Sequence, residues 1–237
     1  MKRILFTVTF LLLQNVQLLA NETLSEKLTY QVFYLGANIG KIIMSSENKG
    51  NETKLTYQAE VTGWISMFYE LNDHIETTIN IDGYPKHYKR IKLDSNGKKL
   101  RDRDVTFKDL KITYVDNLKN KVREYYVKTK YYDLLSGLYA IRKLDLAVGK
   151  KYNLPVFQKR KLYTGYIDVL RSEYVVTPLG KFKTLVVDLK LRSKHPRATN
   201  VDMIIWFSDD KRRIPVKINS QFAFGTTSSQ LVMVETK

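Results

Sequence analysis

From Lys27 onward the chain alternates: Leu28, Tyr30, Val32 and Tyr34 are separated by Thr29, Gln31 and Phe33, until Gly36-Ala37-Asn38-Ile39-Gly40 breaks the run. A period of two puts successive side chains on opposite faces of a sheet. The same pattern predicts strands over Lys41–Glu47, Thr53–Thr62, Asn72–Ile81 and Pro85–Asp94, with turns at Asn48–Glu52 and Asp82-Gly83. Ser95-Asn96-Gly97 contains Asn-Gly, the strongest short hairpin signal, because both residues tolerate the positive φ of a tight turn. Further strands are expected over Lys99–Thr106, Lys111–Val115 and Lys121–Lys128. Later ones fall at Lys151–Gln158, Tyr166–Val176, Phe182–Arg192, Val201–Phe207, Pro215–Phe224 and Gly225–Val234. Short, turn-punctuated strands in series predict an antiparallel meander.

Two stretches break the period. Gly63-Trp64-Ile65-Ser66-Met67-Phe68-Tyr69 is too apolar for a turn and too short for a long helix, and reads as a tight apolar corner at one end of the sheet. Between Tyr131 and Phe157, Leu134, Leu135, Leu138, Tyr139, Ile141 and Arg142 recur at spacings of three and four, which is the helical period. Asp133 suits the N-terminus of that helix, where the dipole favours negative charge, and Arg142 and Lys143 suit its C-terminus. The predicted helix is Asp133–Lys143.

The first twenty residues follow a different plan. Met1-Lys2-Arg3 is a basic head, Ile4 to Leu13 is apolar apart from Thr7 and Thr9, and a more polar stretch leads to Leu18-Leu19-Ala20. That is the three-part layout of a secretory signal with cleavage near Ala20, although Leu18 occupies a position where a small residue is preferred. Spanning a bilayer takes about 20 apolar residues, and this run is about half that. The reading is a cleaved signal, residues 1–20, and a periplasmic or secreted chain with no transmembrane segment after its removal. The remainder, 21–237, reads as one exported β domain without a linker, long enough to bury about 70% of its unfolded surface.

Composition narrows the chemistry. There is no cysteine, which removes thiol catalysis, disulfides and cysteine-based metal sites. The chain carries 40 basic and 24 acidic residues, a net of +16, and Gly83 to Lys130 holds 15 basic against 6 acidic residues. Such a face is either a solvated strand face or a surface for anionic lipid, lipopolysaccharide phosphates or another anionic envelope component. No nucleic-acid recognition module is visible. Sixteen tyrosines, ten phenylalanines and two tryptophans suit strand cores, and also the wall of an apolar cavity.

Three motifs stand in order along the chain. The first is Asp-x-Leu-Ser-x-x-Tyr-x-x-Arg over Asp133–Arg142, with Gly149 seven residues on. The second is Thr-x-x-Gly-x-Phe-x-Thr over Thr177–Thr184. The third is Trp-x-Ser-Asp-Asp-x-x-Arg-x-Pro-Val over Trp206–Val216. Together, behind a signal peptide, they resemble the exported bacterial family known as domain of unknown function 3108. The opening strand and turn, Leu28–Gly40, resemble that family's start. The resemblance implies an exported, mostly β protein with no assigned activity.

The motif residues Asp133, Tyr139, Arg142, Trp206 and Arg213 are the candidate ligand-binding residues. Asp133, Arg142 and Arg213 also have structural explanations. Asp209 and Asp210 are good turn residues, Arg213 can reach back to lock that turn, and Pro215 opens a strand where its missing N–H costs least. Calcium at this turn is disfavoured, because the ion wants six to eight oxygens and the turn offers only a few. Asp133 and Arg142 are nine residues apart and cannot pair along the helix. Asp133 can cap it, and Arg142 can bridge to the sheet or hold a carboxylate or phosphate beneath a cavity.

No catalytic, metal or cofactor site is legible. His74, His87 and His195 stand apart, with no His-Glu-x-x-His zinc spacing and no Gly-x-Ser-x-Gly elbow. The combined expectation is a mainly β fold: a long antiparallel meander curled into an open half barrel or strongly twisted sheet, with one short helix packed on it. The expected role is non-enzymatic binding of an amphipathic or anionic ligand such as lipid or lipopolysaccharide. An envelope glycan or ester hydrolase, and a structural or assembly partner in the envelope, are the alternatives.

Overall fold

A computed structural model of the chain describes residues 25–62, 72–222 and 225–237. The predicted signal and the apolar corner at Gly63–Tyr69 lie outside the described residues. Eight strands come first: β1 (Glu26–Tyr34), β2 (Ala37–Asn48), β3 (Glu52–Val61), β4 (Asn72–Asn80), β5 (Pro85–Leu93), β6 (Lys99–Lys108), β7 (Lys111–Asp116) and β8 (Lys121–Tyr126). Helix α1 (Leu134–Arg142) follows. Six more strands complete the fold: β9 (Lys151–Gln158), β10 (Lys161–Thr177), β11 (Gly180–Arg192), β12 (Val201–Ser208), β13 (Pro215–Phe222) and β14 (Gly225–Thr236).

All fourteen strands form one antiparallel sheet in the order β8-β7-β6-β5-β4-β3-β2-β1-β14-β13-β12-β11-β10-β9. Every neighbouring pair is a sequential meander step except one, β1 with β14, which joins the first strand to the last through nine paired positions from Glu26↔Thr236 to Tyr34↔Thr227. Among the described residues no ladder closes the sheet, but its two edge strands meet through side chains. The Tyr125 ring on β8 lies edge-on to Phe157 on β9 with centroids 5.0 Å apart. Phe157 also packs in one cluster with Val105, Ile112 and Tyr114 of β6 and β7. Part of the connector covers the free edge of β9: Tyr132 N donates to Pro155 O at 2.9 Å, and Phe157 N donates to Tyr132 O at 2.7 Å. A covered edge offers no template for another chain.

Bulges supply the curvature. Register shifts leave one extra residue at Ile39 on β2, Lys86 on β5, Leu100 on β6, Leu170 on β10 and Val216 on β13, and each bends and twists its strand. Gly40 directly follows the β2 bulge residue and is required there. A Cβ at this position would stand 2.3 Å from the Glu60 carbonyl oxygen of β3.

Two strand boundaries differ from the sequence reading by more than two residues. The β1–β2 turn is only Leu35-Gly36, at φ 49° and 81°, so Ala37 to Gly40 already belong to β2. The strand expected to start at Tyr166 begins at Lys161. It follows a two-residue turn in which Lys159 and Arg160 hold φ of 47° and 65°, a left-handed pair with neither Gly nor Asn to announce it. Of the expected Pro215–Phe224 strand, β13 runs to Phe222, and the last two residues lie outside the described set.

Helix α1 forms where the three- and four-residue apolar spacing predicted it. Asp133 is its N-cap, in extended backbone geometry, and Lys143 its C-cap. The Asp133 Oδ1 accepts from Leu135 N at 2.8 Å and Ser136 N at 3.2 Å, while Ser136 Oγ accepts from Asp133 N at 3.0 Å, a reciprocal capping box. The helix buries Leu135 and Ile141 against the inner face of the sheet, each worth about 1.5–3 kcal/mol. Its N-terminus is tied to β4 by Thr77 Oγ1, which donates to Asp133 Oδ1 at 3.1 Å. At the other end Arg142 grips Glu26 of β1 through Nη1 at 2.7 Å and Nη2 at 3.0 Å, and donates to the Arg212 carbonyl of the β12–β13 turn. The helix thus lies across the concave side of the sheet, between strands far apart in sheet order.

Candidate ligand cavity

Curling leaves the inner face incompletely filled. Beneath α1 is a cavity of about 390 Å³, to which every strand except β8 contributes wall residues, a size within the range of small-molecule sites. Most of the wall is apolar: Ile42, Met44 and Ile75 on one side, Leu189, Met203 and Ile205 on the other, and Leu134 and Leu138 of the helix above. Along β10 the buried inward residues are Tyr163, Gly165, Ile167 and Val169, and Gly165 is the position in that row that sends no side chain into the space.

One end of the cavity is charged. Asp73 on β4 and Arg90 on β5 form a bidentate pair, with Nε to Oδ1 at 2.8 Å and Nη2 to Oδ2 closing the second contact. Arg103 on β6 stands directly opposite Arg90 in the ladder, and Asp116 on β7 directly opposite Arg103. The nearest approach of Asp116 to Arg103 Nε is 3.8 Å, too long for a hydrogen bond. Lys159, from the β9–β10 turn, adds a further cation at the mouth. Its ammonium is pushed below the usual lysine range by partial burial and by Arg90, Arg101 and Arg103. Tyr57 is pushed up to about 12 by burial and by the Asp73 carboxylate.

The five sequence-predicted residues are dispersed. Asp133 borders the cavity, but its carboxylate is occupied by the cap and Thr77, with Ser136 Oγ donating to Oδ2 at 2.6 Å. Burial pushes its carboxyl above the usual range, against the pull of those hydrogen bonds. Tyr139 and Arg142 line a separate recess of only about 20 Å³ together with Glu26. Trp206 is outside both. It is buried in a cluster with Val175, Val186 and Val216, its Nε1 donates to Glu173 Oε1 at 2.5 Å, and the Lys217 ammonium lies 4.9 Å from its ring centre.

Arg213 stands at the β12–β13 hairpin tip. Its Nη1 donates to Asp209 Oδ1 at 2.8 Å, and Asp210 Oδ1 accepts from the backbone N–H groups of Arg212 and Arg213. The Arg213 guanidinium and the Lys183 ammonium hold Asp209 below the usual carboxylate range. This charged loop is therefore a locked turn. A further bond, from Arg213 Nη2 to Leu146 O, ties it to the segment after α1.

The charged end of the cavity is what the sequence reading missed. Its signal was present as inward-facing cations in otherwise apolar rows, Tyr88-x-Arg90 on β5 and Arg103-x-Val105-x-Phe107 on β6. None of the three histidines lines the cavity; His74 pairs with Glu76 and His87 with Asp104, each at 3.0 Å. Among the described residues no three His, Asp or Glu side chains gather as a metal set. No helix among them is long and apolar enough to cross a membrane.

Fold and site together define an open, barrel-like antiparallel β protein with an internal, mostly apolar cavity. The chain belongs to the family described as "Protein of unknown function (DUF3108)", whose model matches residues 29–232. Among solved structures it is similar to the β-barrel-like protein of domain of unknown function DUF1849 from Brucella abortus. That match has a TM-score of 0.65 at 11% identity and covers 90% of this chain and 98% of the other; at that identity the likeness is one of fold. Two weaker matches each have a TM-score of 0.34 and cover 89% of this chain and 95% of the other. One is a candidate exported protein with a YmcC-like fold from Bacteroides fragilis, at 11% identity, and the other a candidate lipoprotein from Parabacteroides distasonis, at 9%. No curated protein matches the chain significantly.

Proposed function

We propose that this protein is an exported envelope protein that binds an amphipathic ligand in the cavity of its curled sheet, without performing chemistry on it. The observation that carries this reading is the cavity itself. Protein interiors are close-packed, with few voids larger than a water, whereas this one keeps about 390 Å³ between a helix pinned at both ends and the inner face of the sheet. The basic head and apolar run of residues 1–20 support export, with removal near Ala20.

Native mass spectrometry of the protein isolated from a bacterial periplasm tests both parts. The expected species starts at Asn21 and carries a discrete added mass that disappears in organic solvent. Met203→Trp, which adds bulk to the cavity wall, is expected to lose that mass while remaining folded. A mature protein without added mass, and without uptake of any amphiphile supplied during purification, would refute the binding role. Recovery of the protein only in the cytoplasm, with residues 1–20 intact, would refute export.

A further inference from the structure

Among the described residues, the buried side-chain polar atoms without a hydrogen-bond partner are Arg103 Nε, Tyr114 OH, Gln158 Oε1, Asn219 Oδ1 and Ser228 Oγ. Residues Arg103, Tyr114 and Gln158 all line the cavity at its charged end. Tyr114 is 4% exposed, so its hydroxyl is shut away from bulk water. Buried polar groups are nearly always satisfied, and a cluster that is not calls for a missing partner. Arg103 and Tyr114 lie on the same inner face of adjacent strands, since Val105 pairs with Tyr114 two residues along β6. Gln158 precedes Lys159 at the end of β9, next to Phe157, which packs with Tyr114. The Arg160 guanidinium lies 6.0 Å from the Tyr114 ring centre.

The electrostatics of this corner are lopsided. Arg90 is matched by a bidentate Asp73, whereas Arg103 faces Arg90 and its ion pair with Asp116, at 3.8 Å, carries no hydrogen bond. Arg101 is held below the usual arginine range by burial and by Arg90 and Arg103, as Lys159 is on its own side of the mouth. Cations that repel one another beside unpartnered hydrogen-bonding groups are what an anion would relieve.

We propose that this corner is an anion seat, in which Arg103, Tyr114 and Lys159 donate to the carboxylate or phosphate of a single-chain amphiphile whose apolar chain runs beneath α1. Gln158 Oε1 is an acceptor, which the free hydroxyl of a glycerol phosphate headgroup satisfies and a bare carboxylate does not. The inference rests on the cavity-binding reading and adds the ligand's charge and direction. One chain rather than two follows from the cavity's size, which is near the lower end for small-molecule sites.

The test compares three probes of equal chain length by isothermal titration calorimetry on the intact protein: a fatty acid, a monoacylglycerol phosphate and the neutral monoacylglycerol. The anionic probes are expected to bind at least about tenfold tighter than the neutral one, the gain of one charge-assisted hydrogen bond. Whichever anion binds more tightly names the headgroup. Arg103→Gln and Tyr114→Phe are each expected to remove most of that preference, read as the ratio of anionic to neutral affinity within the same variant. Tyr114→Phe deletes an atom that makes no hydrogen bond in the protein, so it keeps the fold and gives a clean comparison. Equal binding of all three probes, or an anion preference that survives both variants, overturns the anion seat and leaves the cavity reading standing. Failure of all three to bind overturns both.

Discussion

Asp133→Ala is expected to loosen the lid of the cavity, and its cost can be worked from the contacts. The Asp133 carboxylate accepts from Leu135 N, Ser136 N, Ser136 Oγ and Thr77 Oγ1, and the residue is 2% exposed. Losing an N-cap costs about 1 kcal/mol. A buried donor left without its acceptor, here the Thr77 hydroxyl, adds about 1–3 kcal/mol. The expected loss is about 3 kcal/mol, a fall of about 6–12 °C in thermal midpoint for a domain of this size.

Asp133→Asn separates geometry from charge. The amide oxygen keeps the acceptor for the two backbone groups and Thr77, so this variant is expected to lie within about 1 kcal/mol of the parent at neutral pH. Because burial raises the folded-state pKa, the unfolded chain gives up its proton first. The Asp133 contribution to stability is therefore highest at low pH and is lost as pH rises from about 4 through the raised folded value. The asparagine variant lacks that loss, so its stability relative to the parent is expected to improve over the same window. Thermal unfolding by circular dichroism between acidic and neutral pH reads all three proteins. An alanine variant as stable as the parent, or an asparagine variant as damaged as the alanine one, would refute the argument that cap geometry holds the helix.

Three further outcomes follow from other contacts. Arg142→Met leaves Glu26, whose side chain is 10% exposed, without its bidentate partner, and is expected to cost about 3 kcal/mol; adding Glu26→Gln should recover part of it in a double-mutant cycle by urea unfolding. Gly40→Ala forces a Cβ to within 2.3 Å of a backbone oxygen and is expected to cost about 1–3 kcal/mol through strain, read as an earlier urea midpoint with an unchanged slope. Tyr57, whose pKa is pushed up to about 12, keeps its proton after the unfolded chain's tyrosines have lost theirs. The parent should therefore lose stability as pH rises from about 10 towards 12, and Tyr57→Phe should lose less, as equilibrium unfolding at stepped pH would show.

Much of the fold was legible because it is local. Period-two alternation placed the strands, Asn96-Gly97 marked a turn that closes with Gly97 at φ 77°, and Asp133 announced the helix it caps. The hairpin at Lys159-Arg160 escaped because its residues carry no intrinsic preference for positive φ; neighbouring strands impose the conformation. The cavity escaped for a different reason. It depends on how far fourteen strands bend, which is a sum of bulges rather than a property of any segment. The motif residues were conspicuous, and the structure gives most of them partners within the fold: a cap, an ion pair and a locked turn. Arg103 and Tyr114 were inconspicuous, since their meaning comes only from the groups they face.

The pairing of β1 with β14 has a bearing on how the molecule comes together. Ser25 and Lys237 exchange two backbone hydrogen bonds, at 3.1 and 2.9 Å, so the first and last strands meet in the middle of the sheet while the strands midway along the chain form both edges. Each run of strands can zip up from its own hairpins as soon as it is available. The seam between the runs must wait for the final strand, and it closes the largest loop in the chain. Closing that seam is expected to be the slow step of folding. Joining Ser25 to Lys237 directly and opening the chain at an exposed hairpin instead would turn it into a local step. Such a rearranged chain should reach the same sheet faster.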